Sequence, residues 1–94
     1  MNESSLPGQG DALMEFPCSF PLKVMGRADV GFADLVLAIV RRHVEALPDD
    51  ALSARASRGG AYVALTVTFE AHSREQLDAL YRELSAHERV LFVL

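Results

Sequence analysis

Residues 16–26 read FPCSFPLKVMG, and the order of elements in the chain follows from how this run is parsed. Phe20, Leu22 and Val24 alternate with Pro21, Lys23 and Met25. A period of two lines one side of an extended chain with apolar groups, so the run predicts a β-strand with one apolar face. Pro17 and Pro21 have no N–H and cannot donate within a ladder, so they stiffen the start of the strand. Gly26 offers an exit at which the backbone can take positive φ.

After this strand the period changes. Phe32, Leu35, Val36, Ile39, Val40, Val44 and Leu47 recur at helical spacing, while Asp34, Arg41, Arg42 and Glu45 lie mostly off their stripe. Residues 32–47 therefore predict an amphipathic helix packed on a sheet. Asp29 is the expected N-cap, with Gly31 easing the chain into the helix, and Pro48 with Asp49 and Asp50 is the expected stop. Residues 52–57 alternate weakly and predict an edge strand. Arg58, Gly59 and Gly60 then form a hairpin turn.

Residues 61–70 make the clearest strand. Val63, Leu65, Val67 and Phe69 point one way, and Tyr62, Ala64, Thr66 and Thr68 the other. Its β-branched and aromatic content suits a central position. Ser73 and Gln76 make a capping box. Behind it Leu77, Leu80, Tyr81 and Leu84 run at helical spacing to Ala86, with Arg74 and Asp78 placed to pair at i, i+4. Residues 90–94, VLFVL, predict a last strand apolar on both faces.

The order strand, helix, strand, strand, helix, strand is a split β-α-β pattern. It predicts an α+β chain with four antiparallel strands in one layer and two helices on one face. The first strand and the 61–70 strand are the expected central pair. Another α+β order, with the last strand elsewhere, remains open.

Bulk properties bound the function. The 94 residues suffice for one core. Residues 1–13 are rich in Ser, Gly and Gln and predict a disordered tail, leaving 14–94 as a single domain. The formal charge is −4, which argues against nucleic acid or an anionic membrane as the main partner. Arg41 with Arg42, and Arg55 with Arg58, are read as solvated charges. The single cysteine, Cys18, fits a reducing cytoplasm. The N-terminus lacks the pattern of a signal peptide, and no apolar run nears the ~20 residues of a spanning helix.

The ordered set Phe16-Pro17, Phe20, Lys23-Val24-Met25-Gly26, Arg42-His43, Ser57, Gly60-Ala61-Tyr62, Leu80-Tyr81, Glu83-Leu84, Val90 and Val93-Leu94 resembles the YbeD-like family of small bacterial proteins of unknown function. The resemblance runs from residue 16 to 94. It implies a ferredoxin-like β-α-β-β-α-β sandwich close to the ACT domains, which bind amino acids and regulate enzymes. It implies no activity. The chain departs from the pattern at Gly59 and at Leu91, where members often carry a basic residue.

No catalytic set can be assembled from the residues. His43, His72 and His87 are scattered, and Cys18 reads as a bystander between prolines. No CxxC, HxxxH or HxH spacing suggests a metal, and no cofactor is expected. Asp49-Asp50 reads as a helix terminator. Gly59-Gly60 leads into a strand and reads as a turn, not a phosphate loop.

Two surfaces remain. The segment Gly26, Arg27, Asp29, Gly31 joins a central strand to a helix N-terminus, where an anion is favoured. By analogy with ACT domains it could hold a small carboxylate, although any strand-to-helix turn uses Gly and Asp in the same way. The sheet face away from the helices is expected to carry Lys23, Met25, Tyr62, Ala64, Thr66 and Thr68, with either Leu91 and Val93 or their alternates. Leu91 is the favoured member from the last strand. This face is expected to mix apolar and hydroxyl groups with little charge, and to dock a protein or a second copy. A plain solvated sheet face is the competing reading. The chain is thus expected to be a non-enzymatic regulatory or adaptor module, with an ACT-like sensor as the alternative.

Overall fold

The computed structural model describes residues 14–94. The expected tail, residues 1–13, lies outside the described residues. Strand β1 (Cys18–Arg27), helix α1 (Phe32–Arg41), strands β2 (Leu52–Ala56) and β3 (Tyr62–Ala71), helix α2 (Arg74–Ala86) and strand β4 (Val90–Val93) follow in that order. The strands form one antiparallel sheet in the order β2-β3-β1-β4. This is the ferredoxin-like α+β sandwich, and β1 and β3 are its central pair.

The core lies between the sheet and the helices. Leu22, Val24, Leu65, Val67 and Phe69 from the strands meet Phe32, Val36, Ile39 and Val40 of α1 and Leu77, Leu80 and Leu84 of α2. All are buried. The alternations read in the 16–26 and 61–70 runs account for the sheet half of this list.

Pro21 sits inside β1, opposite Thr68 of β3. Its tolerance follows from register. Lys23 exchanges main-chain bonds with Leu94, so the N–H groups of odd-numbered β1 residues near it face the β4 side. Pairing with β4 covers Lys23 to Gly26, so a missing N–H at Pro21 removes no ladder bond.

Gly26 does not end the strand. It lies within β1 at a register shift against β4, and it is not among the glycines with positive φ. A Cβ there would collide with the Phe32 ring and stand 2.8 Å from the Arg89 carbonyl oxygen. The glycine makes room for the first residue of α1.

Two expected boundaries and one expected burial change. Gly31, at φ 82°, is the N-cap of α1 in place of Asp29. Asp29 lies too early; its N–H bonds the Arg27 carbonyl, and its own carbonyl accepts from Phe32 N–H. Helix α1 ends at Arg41, before the expected 47. Its last turn tightens through Arg42 N–H to Ile39 O and His43 N–H to Val40 O, and the His43 carbonyl is taken by the Gln76 side chain at 2.9 Å. Val44 stays buried and Leu47 packs on the core from irregular chain. Finally, β4 is an edge strand: Val90 is buried, while Leu91 and Phe92 are about half exposed.

Helix α2 starts as expected. The Ser73 side chain accepts from Gln76 N–H at 3.0 Å. The Gln76 carbonyl oxygen reaches back to His72 N–H at 2.7 Å, one residue before the cap. Arg74 and Asp78 pair at 3.0 Å.

Candidate functional site

The register fixes what stands on the open face. Leu22, Val24, Leu65 and Val67 are buried toward the helices, so their strand neighbours point the other way. One row across the sheet is Arg55, Ala64, Met25, Phe92. The next is Ser53, Thr66, Lys23, Leu94. At the hairpin end, Tyr62 pairs with Arg27. Thr68, opposite Pro21, continues the face beyond the second row.

A shallow groove of about 190 Å3 runs between Lys23, Met25, Ala64, Phe92 and Leu94. Phe92 and Leu94 are 50% and 66% exposed. Leu91 does not line this groove. It falls at the register shift, between the Gly26–Val90 and Met25–Phe92 pairs, and has no partner of its own. The bulge hands the face to the alternates Phe92 and Leu94.

The expectation of little charge is overturned. Lys23, Arg27 and Arg55 all lie on this face. Arg55 arrives through its pairing with Ala64, a register that the weak alternation of 52–57 left undetermined. None of the ion pairs among the described residues involves these three cations. The two rows and the Tyr62–Arg27 pair contain no acid; the nearest acid in register is Glu70, opposite Ser19 at the far end of β3. The Arg27 guanidinium lies 5.7 Å from the centre of the Tyr62 ring, a cation–π contact.

That contact separates the four loop residues. Arg27 lies on the open face with Tyr62. Gly26 abuts Phe32, Asp29 serves the turn through its main chain, and Gly31 opens α1 with no side-chain cap. The turn is also held by Arg89, whose side chain donates to the Val30 carbonyl at 3.1 Å.

A polar cluster missed by the sequence reading bridges the helices. Glu83 of α2 pairs with both Arg42 and His43 at the end of α1, with His43 Nε2 2.7 Å from its carboxylate. Hydrogen bonds from Arg42 and then His43 hold the Glu83 carboxyl below the usual glutamate value. Both halves appear among the family-like motifs, but nothing in their spacing joins them. Every member has a structural partner, so the cluster reads as a strap between the helices. Among the described residues no group of His, Cys, Asp and Glu could hold a metal ion, and Cys18 makes no hydrogen bond to a histidine.

Residues 11–94 match a family described as "Protein of unknown function (DUF493)". The chain belongs to this DUF493 family. It is 45% identical over 84 residues to a UPF0250 protein of Nitrosomonas europaea, covering 89% of this chain and 97% of that one. It is 47% identical over 83 residues to a UPF0250 protein of Leptothrix cholodnii, covering 88% and 91%. A third, from Ralstonia nicotianae, is 41% identical over 93 residues, covering 99% and 96%. The YbeD-like motifs of the sequence thus belong to a real kinship. No helix among the described residues is long and apolar enough to cross a membrane.

Proposed function

We propose that this DUF493 protein is a non-enzymatic regulatory or adaptor module of the cytoplasm that docks another protein on its open sheet face. The carrying observation is the groove at the middle of that face, where the half-exposed Phe92 and the more exposed Leu94 stand beside Met25 and Ala64. An apolar groove rimmed by polar groups is the usual form of a docking patch. The absence of a nucleophile–base pair among the described residues supports a binding role over catalysis. The ACT-like sensor reading has less support, because the Arg27 guanidinium lies over the Tyr62 ring of the open sheet face and the Gly31 cap of α1 has no side-chain hydrogen bond.

Affinity capture from the native cell tests the docking reading. Wild type, Phe92→Asp and the helix-side control Asp34→Arg are compared. A partner retained by wild type and control but lost by Phe92→Asp supports the reading. A partner retained equally by all three contradicts it.

A further inference from the structure

We propose that the occupant of the open face is an acidic protein segment, one that sets an apolar side chain into the Phe92 groove and carboxylates against Lys23, Arg27 and Arg55. This rests on the docking reading above and specifies its partner. The chain holds 9 cations and 13 acids. Three of those cations, and no acid, occupy the two rows and the Tyr62–Arg27 pair. An acidic protein thus keeps a basic, apolar-centred patch with no acidic side chain in those rows, the acid of the same face, Glu70, standing at the far end of β3. Charge complementarity of this kind selects partners and steers encounter.

The same charges disfavour a second copy. A two-fold stack of open face on open face would bury three cations from each copy in one interface with no acidic side chain from the same rows to pair them, and like charges at an interface are costly. Nucleic acid is disfavoured as well. Three cations around an apolar groove do not form the dense basic track that a phosphate backbone requires, and the whole chain repels polyanions. A protein segment supplies both carboxylates and an apolar anchor in one short stretch.

The test is an amide chemical-shift titration of the full chain with four probes. These are short peptides alternating glutamate with leucine, lysine with leucine, and serine with leucine, and an oligothymidylate of similar length. The glutamate–leucine peptide is expected to give saturable shifts centred on Lys23, Met25, Ala64, Thr66 and Phe92. Its binding should fall about tenfold or more in Lys23→Glu/Arg55→Glu, and similarly in Phe92→Ser, with the rest of each variant's spectrum unchanged. Light scattering should show a monomer throughout. Equal binding of the lysine–leucine or serine–leucine peptide at the same rows would overturn the acidic-partner proposal and leave the docking reading standing. Tighter binding of the oligothymidylate, or self-association abolished by Phe92→Ser, would also overturn it. Shifts away from the sheet face with every probe would count against both.

Discussion

Lys23 and Leu94 exchange both of their main-chain hydrogen bonds, at 3.2 and 2.8 Å. This pair fixes the phase of β4 against β1. It sets Leu94 beside Lys23 on the open face and leaves Pro21 outside the β4 ladder. Lys23→Pro is therefore expected to destabilise the fold by at least ~1 kcal/mol through the lost bond. Pro21→Ala should cost no more than ~1 kcal/mol, mainly through a freer unfolded chain. Urea unfolding of both variants checks the contrast, and equal losses would contradict the register.

Gly26→Ala is expected to destabilise by about 1–3 kcal/mol, because the new methyl meets the Phe32 ring and the Arg89 carbonyl. Phe32→Leu in the same background should recover part of the loss if the ring is the obstacle. Thermal unfolding of the double-mutant cycle gives the coupling.

Ser73→Ala removes the acceptor for Gln76 N–H and should cost ~1 kcal/mol, as N-cap losses do. Ser73→Asp should restore most of it, which circular dichroism during urea titration can follow.

Glu83 contributes stability with a defined pH dependence. Its carboxyl is held below the ordinary value of 4.5 by Arg42 and His43. The contribution is complete above the unfolded-state pKa. It decays as pH falls through the ordinary glutamate range and is gone below the lowered folded-state value. Glu83→Gln is expected to lower Tm at neutral pH and to converge with wild type in acid. A gap that stayed constant from neutral pH into acid would contradict the strap.

Phe92→Ser should cost only about 1 kcal/mol, since half of the residue is already exposed and the loss scales with the apolar area returned to water. Leu65→Ala, on the helix side of the sheet and 1% exposed, should cost about 2–5 kcal/mol. Matching losses in denaturant titrations would mean that Phe92 belongs to the core.

The element order and the face of each central strand were legible because Leu22, Val24, Leu65 and Val67 alternate with residues of the other face, Lys23, Met25, Ala64 and Thr66. The cap at Ser73 was legible because it depends on residues three apart. The end of α1 was not. The apolar stripe continues to Val44 and Leu47 whether or not the chain stays helical, and the carbonyl that would extend the helix is captured by Gln76, 33 residues away. Gly26 was read as a turn glycine because its obstacle, Phe32, becomes a neighbour only when α1 folds onto β1. On the candidate face, Lys23, Met25, Tyr62, Ala64 and Thr66 followed from alternation. Phe92, Leu94 and Arg55 did not, because their placement depends on a bulge and on an edge-strand register that local pattern leaves free.

The most direct test of the central claim is site-specific photo-crosslinking in the native cell. A photoreactive side chain is placed at Thr66, in the middle of the open face, and separately at the exposed Asp34 of α1. A discrete adduct with one protein from position 66, absent from position 34 and lost in Phe92→Asp, is the predicted result. Adducts equal at both positions, or an adduct from position 34 alone, would show that the open sheet face is not where this protein works.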